Sequence, residues 1–428
     1  TISGRTETVP LNDSSTQLIA HRVVVTGMGA ISPFGPSVAE LDQGLRAGES
    51  GVRYCEEMRD VHGLRSLVAA KVVGVEPKRI ARKHRRSMSN MSIYAALAAQ
   101  EALTQAAIDG DQCRSGRLGV ALGSTVGSTE VSQSFFEDYL RDHSLERMKT
   151  TLFFQLMNHS CAANVAQTYE INGRILAPSA ACATGSQAIG YGYEMIVAGH
   201  QQMMLCGGAD ELHPLTTATF DVMHAASTGH NETPQLTPRP FDRHRDGMVC
   251  GEGSGVVVLE SLESAQERGV EILAEVIGFA TLSDSTSIAN PNASVMAECM
   301  RQALVSAGIE AADVDYVNAH ATATAQGDIA ESQAIAEVFG ANVPVSSLKG
   351  HLGHTLAASG ALESIATIGM MREGRLVPTL HLDDVDPLCA DLDYVQQPRQ
   401  KNIQIALKNN FALGGVNTSL ILRRYTCD

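Results

Sequence analysis

Gln100-Glu-Ala-Leu-Thr-Gln-Ala-Ala-Ile-Asp109 and Arg301-Gln-Ala-Leu-Val-Ser-Ala-Gly-Ile-Glu310 are two versions of one segment. Ala102, Leu103, Ala106 and Ile108 return as Ala303, Leu304, Ala307 and Ile309, at an offset of 201. Each version has an apolar stripe at helical spacing. Each then leads into a strand-like run, Leu118-Gly-Val-Ala-Leu122 in one case and Val314-Asp-Tyr-Val-Asn318 in the other. Further on, Gly185 and Gly199 bracket a helix as Gly360 and Gly374 do, now at an offset of 175. Two matched pairs in the same order point to a duplicated chain. The offset falls by 26, so the first copy holds about that many extra residues, expected as a cap insertion at about 125–165. Strands alternating with helices predict an α/β protein of two similar halves, 21–265 and 266–428, with Glu260–Gly269 as a helical junction. Ligands in such folds bind in loops at strand ends, often where two halves meet.

Composition narrows the classes. At 428 residues, 44% hydrophobic and 18% charged, the chain supports a large core and is too apolar to be disordered. With 38 glycines, 4% aromatics and no Trp, it must pack through small and aliphatic side chains. A net charge of −15 argues against a nucleic-acid binder. Six basic residues are nevertheless crowded together: Lys78, Arg79, Arg82, Lys83, Arg85 and Arg86, with no acid among them. Helical spacing would put Arg79, Arg82, Lys83 and Arg86 on one face. Residues 1–20 are polar and read as a flexible arm rather than a signal peptide. No run of 18 apolar residues predicts a membrane span. The nine cysteines are scattered without a C-x-x-C pair, which predicts neither a zinc knuckle nor a disulfide framework and fits a cytoplasmic protein. Gly27-x-Gly29, after the run Val23-Val24-Val25, lacks the third glycine and the helix of a dinucleotide fingerprint.

The chemistry-bearing stretch is Ile175-Leu-Ala-Pro-Ser-Ala-Ala-Cys182-Ala-Thr-Gly-Ser-Gln-Ala-Ile189. A thiol at a helix N-terminus sees the positive end of the macrodipole, which favours thiolate. Small neighbours (Ala180, Ala181, Ala183, Gly185) leave the sulfur open. The alternative is an inert buried thiol, the reading preferred for Cys206 inside Met203-Met-Leu-Cys-Gly-Gly208. A nucleophile needs polar partners from elsewhere. Val317-Asn-Ala-His320-Ala-Thr322-Ala-Thr324 and Ser346-Ser-Leu-Lys349-Gly-His-Leu-Gly-His354-Thr355 both end strand-like runs. His351-x-x-His354 could be read as a metal pair, but no third ligand has suitable spacing, so no metal is expected.

Ala181-Cys182-Ala-Thr-Gly, His320-Ala-Thr322-Ala-Thr324, Lys349-x4-His354 and Asn410-Phe411-Ala-Leu413-Gly-Gly-Val-Asn417 together resemble the β-ketoacyl-(acyl carrier protein) synthases. The branch is the elongating, type I/II-like one of the thiolase-like condensing enzymes. The resemblance runs from Arg22 to Arg424 and includes Pro240-Phe-Asp-x3-Asp246-Gly and Gly251-Glu-Gly253. It implies a thiolase-like duplicated fold, layered α-β-α-β-α with two mixed sheets. It implies that Cys182 accepts an acyl group from the pantetheine arm of acyl carrier protein, with the N–H groups of Cys182 and Leu413 as oxyanion hole and Phe411 and Leu413 as gate. His320 and His354 would hold the malonyl thioester and stabilise the enolate. Lys349 with Glu363 would orient the site, and Thr322 and Thr324 would bind pantetheine. The product would be 3-oxoacyl-acyl carrier protein in fatty-acid elongation, with no cofactor beyond the carrier's phosphopantetheine. The basic cluster of residues 78–86, with −21 on the rest of the chain, suits docking of the acidic carrier protein. Cys182 marks a catalytic subunit, because chain-length factors lack it. A homodimer is implied, or a heterodimer with such a subunit, with the strand before Cys182 as its edge. Four positions depart from the usual motifs: Ala321, Ala323, Ala412 and Leu413. The last two fall in a gate that usually reads Phe-Gly-Phe-Gly-Gly, so a specialised polyene or polyketide-like pathway is the alternative.

Overall fold

The computed structural model describes residues 21–426. The arm expected at 1–20 lies outside the described residues, as does Cys427. The first half contributes β1 (Val23–Ile31), β2 (Leu118–Gly123), β3 (Ile175–Leu176), β4 (Met203–Asp210) and β5 (Gly253–Ser261). The second contributes β6 (Ala274–Ser283), β7 (Tyr316–Asn318), β8 (Pro344–Ser346), β9 (Ile405–Ala412) and β10 (Val416–Arg423).

The strand order is β3-β2-β4-β5-β1 in the first half and β8-β7-β9-β10-β6 in the second, the same order counted from each half's first strand, and the second half adds the two-residue strand Asp393–Tyr394, parallel to β8, at its outer edge. Directions also repeat. The three outer strands of each half run parallel, and the two inner ones are antiparallel additions. Duplication is thus visible in topology as well as in sequence. The two mixed sheets are joined, because β1 pairs with β6 through Val23, Val24 and Val25. The contact stops where a bulge between Val25 and Gly27 turns β1 away.

Helices fill three layers around the two sheets. Asn90–Gln105 (α1) and Ser160–Tyr169 (α2) cover the first sheet, while Ala293–Ala307 (α4) and Ala325–Phe339 (α5) cover the second. Thr184–Val197 (α3) and Ser359–Glu373 (α6) lie between the sheets. Nearly every residue of α6 from Ser359 to Met371 is buried, as its lack of a polar face requires. The repeated residues explain themselves here. Ala102, Leu103, Ala303 and Leu304 are buried on α1 and α4. Gly185 and Gly360 open α3 and α6 where these helices touch. A Cβ on Gly185 would lie 2.6 Å from the Ala357 carbonyl oxygen, and one on Gly360 would lie 2.5 Å from Ser186 N. Gly27 serves packing too, since a Cβ there would lie 2.1 Å from the Ala102 carbonyl oxygen of α1.

Two further helices, Thr129–Leu140 and Thr150–Leu156, stand between β2 and α2. Their counterpart in the second half is only the short loop from β7 to α5. The helix Leu262–Arg268 connects the halves and ends on Gly269 in the left-handed conformation. No helix among the described residues is long and apolar enough to cross a membrane.

Candidate active site

Cys182 lies in the tight turn Ala181–Ala183 that follows β3 and opens α3. Ala181 takes a left-handed φ of 46°, and its equivalent, Leu356, takes 52° at the matching turn before α6. Each half therefore builds the same strained elbow, but only the first carries a thiol. Cys182 is buried in an apolar cluster with Phe220, Met248, Cys250, Leu356 and Ala412.

His354 follows β8 after one helical turn, Lys349–Leu352. Its N–H donates to the Val249 carbonyl at 2.7 Å, and its carbonyl accepts from Gly251 N at 2.8 Å, which pins it to the first half. Its Nε2 stands 2.8 Å from Cys182 Sγ. The His320 ring lies edge-on to that of His354, with centroids 5.2 Å apart. The sulfur and ring nitrogens of all three residues lie within 4.8 Å of one another. Such a trio could be read as zinc ligands. Ligands of one tetrahedral zinc, however, stand about 3.5 Å apart, and metal-bound histidines hydrogen-bond through the other nitrogen. The 2.8 Å contact is a hydrogen bond, and His354 Nδ1 has no partner.

Asn410 on β9 sets the other histidine. Its Nδ2 donates to His320 Nδ1 at 3.2 Å, while its Oδ1 accepts from Ser186 Oγ at 2.6 Å. His320 Nδ1 is then an acceptor, so its proton sits on Nε2. The loop holding His320 is clamped by α5. Glu331 accepts from the N–H groups of His320 (2.8 Å) and Ala321 (2.6 Å), and Asp328 accepts from Ala323 N at 3.1 Å. Ala323 has a φ of 68°, a conformation that costs a non-glycine residue about 1 kcal/mol or more. Thr322 and Thr324 on this loop place their hydroxyls 3.2 Å apart.

Behind the histidines, Lys349 Nζ contacts Glu363 Oε1 at 2.6 Å, and Lys408 Nζ contacts Oε2 at 2.7 Å. Both lysines are fully buried. Burial, then the Lys349 charge, pushes His320 and His354 well below the ordinary imidazole range, so both are neutral at pH 7. Burial also pushes the Cys182 thiol up to about 12, outweighing Lys349. This corrects the expectation of a thiolate lowered by the helix terminus. Desolvation of the enclosed sulfur is the larger effect, so the resting group is a thiol and needs a base.

The gate strand ends at Phe411 and Ala412, and the turn Leu413-Gly414-Gly415 follows. Ala412 keeps strand geometry, and the positive φ values fall on Gly414 and Gly415. Alanine at 412 therefore brings no backbone strain. The Ile288 carbonyl accepts from Gly414 N at 2.8 Å, and the Gly415 carbonyl accepts from Asp284 N at 2.7 Å, latching the turn. Leu413 is partly exposed at its tip.

The basic cluster is not one helical face. Pro77–Arg79 is a 3-10 turn, and Arg82–Arg85 is a single helical turn after a break at Ile80 and Ala81. Ile80 is buried in the core, which forces the break. Lys78, Arg79, Arg82, Lys83 and Arg86 are exposed, Arg85 is half-buried, and none forms an ion pair among the described residues. The cluster is on the surface and does not join the Cys–His group. His351 also points away, with its ring nitrogens on the carbonyls of Glu49 (2.9 Å) and Pro378 (3.0 Å).

Residues 20–265 match the N-terminal domain of β-ketoacyl synthase, and residues 273–383 match its C-terminal domain. The chain belongs to the β-ketoacyl synthase family. It is 34% identical to 3-oxoacyl-[acyl-carrier-protein] synthase 1 of Haemophilus influenzae over 95% of this chain and 99% of the relative. A β-ketoacyl synthase crystal structure from Burkholderia phymatum superposes with a TM-score of 0.92 at 45% identity, over 95% of this chain and 100% of the other. The ishigamide ketosynthase/chain length factor (33% identity) and AntDE:AntF, a type II PKS acyl-carrier protein in complex with its ketosynthase (31%), each give 0.88 at the same coverages. This β-ketoacyl synthase is an acyltransferase that joins acyl units by condensation to give 3-oxoacyl-acyl carrier protein.

Sequence reasoning assigned no role to Lys408, Asn410 or Glu331. For Lys408 a signal existed. It is a lone charge inside the apolar run Ile405-Ala-Leu-Lys408, where a lysine stays only if something pairs with it.

Proposed function

We propose that the synthase runs its condensation through Cys182, His354 and His320, and that the 2.8 Å contact between Cys182 Sγ and His354 Nε2 carries this assignment. His354 Nε2 takes the thiol proton as sulfur attacks the acyl thioester. The pantetheine C–S bond breaks, and the leaving thiolate takes that proton. The N–H groups of Cys182 and Leu413 face the oxyanion. Malonyl-acyl carrier protein then enters, and Thr322 and Thr324 bind its pantetheine arm. The Nδ1 proton of His354 exchanges through solvent onto Nε2, and His320 and His354 then both donate from Nε2 to the malonyl thioester carbonyl. The bond to CO₂ breaks, its electron pair forms the enolate, and the enolate carbon attacks acyl-Cys182. The Cys182 C–S bond breaks, and the thiolate regains a proton from solvent. Lys349, paired with Glu363, sets the charge of the site and adds to burial in keeping the histidines neutral. The assignment is tested by mass spectrometry of the protein with acyl-acyl carrier proteins, followed by sequencing of the modified peptide. An adduct on any residue but Cys182 overturns it.

The basic cluster is the docking site we assign to acyl carrier protein, an acidic partner. Arg82→Glu combined with Lys83→Glu is expected to raise KM for the carrier roughly tenfold at low salt, with the difference shrinking as salt rises. A salt-independent KM would sink the docking site. Dimerisation through the β3 edge fits the exposed Ile175 on that strand. A cytoplasmic setting fits the eight described cysteines, all free.

The second reading, a polyene or polyketide-like pathway with a chain-length-factor partner, is favoured by Leu413 in place of an aromatic gate and by the ishigamide likeness. Leu413→Phe is expected to change the ratio of long to short acyl donors by roughly tenfold. Equal acylation rates across a chain-length series, before and after the change, would remove the gate from consideration.

A further inference from the structure

The machinery assigned above uses one lysine, yet two are buried there. Lys408 lies within β9, and its Nζ meets Glu363 Oε2 at 2.7 Å while Lys349 holds the other oxygen at 2.6 Å. Its ammonium group also donates to the Asn409 carbonyl. A buried lysine costs several kcal/mol of desolvation, so an apolar side chain would serve the strand better if stability were the only demand. Two residues along the same strand, Asn410 holds His320. One strand therefore delivers both a charge to Glu363 and the partner that fixes the His320 proton.

We propose that Lys408 is a positioning residue of the condensing site, a second ammonium group that completes the pairing of Glu363 and places positive charge behind the His320–His354 pair. The proposal rests on the roles assigned above to the two histidines. The charged groups that face Lys408 are Glu363 on α6, Lys349 before His354, and Glu331 on α5, with the two histidines beyond. Positive charge here opposes histidine protonation and favours the negative enolate. The Lys408 charge reaches both histidines, as the Lys349 charge does. Burial draws Lys408 down to about 8, so it is charged at neutral pH.

The test is the pH profile of CO₂ release from malonyl-acyl carrier protein by wild type, Lys408→Met and Lys408→Arg. Iodoacetamide alkylation of Cys182 is followed over the same range. Loss of the charge lets the histidines protonate more readily, so the acid limb of Lys408→Met moves to higher pH, by about half a unit or more, with roughly tenfold slower release at pH 7. Because His354 is also the base for Cys182, the acid limb of alkylation moves the same way. Lys408→Arg keeps the wild-type acid limb. A Lys408→Met profile that superimposes on wild type overturns the proposal, as does an acid limb that moves to lower pH. If Lys408→Met does not fold, Lys408→Arg decides alone, and an acid limb displaced by more than half a unit overturns the proposal. Wild type that releases no CO₂ instead overturns the assigned function, and this inference with it.

Discussion

Glu363→Gln is expected to destabilise the protein by about 3–5 kcal/mol, the cost of leaving buried charges without their counter-ion. The carboxylate stands between two fully buried ammonium groups, at 2.6 and 2.7 Å. A neutral amide cannot balance either charge. Burial works to raise the Glu363 carboxyl, but Lys349 and Lys408 outweigh it and hold it below the ordinary carboxylate range. The pairing is therefore fully present above that range and is lost as pH falls through the folded-state value. In Glu363→Gln the pH dependence passes to Lys408, which burial draws down and which has lost its counter-ion; its folded form sheds its proton before the unfolded chain does, so the variant gains stability as pH rises from 7 to 10. Urea unfolding across that interval should show the gap to wild type closing. A constant gap below about 1 kcal/mol would mean that the ion triad is not buried.

Cys182→Ala is expected to abolish the acyl adduct and to lower condensation by roughly a thousandfold or more. CO₂ release from malonyl-acyl carrier protein should persist, because His320, His354, Lys349 and Glu363 do not depend on the sulfur for their positions. His320 is held by Asn410 and Glu331, and His354 by the 249–251 backbone. Separate assays of adduct mass, CO₂ and 3-oxoacyl product distinguish the steps. An adduct that survives would point to another thiol of the same apolar cluster, Cys250.

Much of the fold was legible because duplication repeats its signals. The matched segments fall on α1 and α4, and the matched glycines on α3 and α6. Cys182, His320 and His354, which the structure brings together, could be named from short motifs, because each motif is a local device: an elbow, or a strand end with its following loop. What local patterns cannot carry is contact across the chain. The Lys349–Glu363 pair spans 14 residues, and Lys408 joins it from the far end of the sequence. The thiol shows the same boundary. A helix terminus is visible in sequence, but the walls that desolvate Cys182 come from Phe220, Met248 and Leu356. In the basic cluster the charge pattern was readable, but the inward anchor at Ile80 that breaks its helix was not.

The helical layer between the sheets has a consequence for how the chain is made. It takes one helix from each half, and the inner face of the first sheet is covered by α3 of its own half together with α6 of the other. A ribosome finishes α3 at Val197 and reaches the end of α6 at Glu373 on the order of ten to thirty seconds later. Throughout that interval the inner face of the first sheet has α3 on it but lacks the part of its cover that α6 supplies on β5 and β4. A first half made alone would leave α3 without α6 beside it and that part of the sheet face open to water.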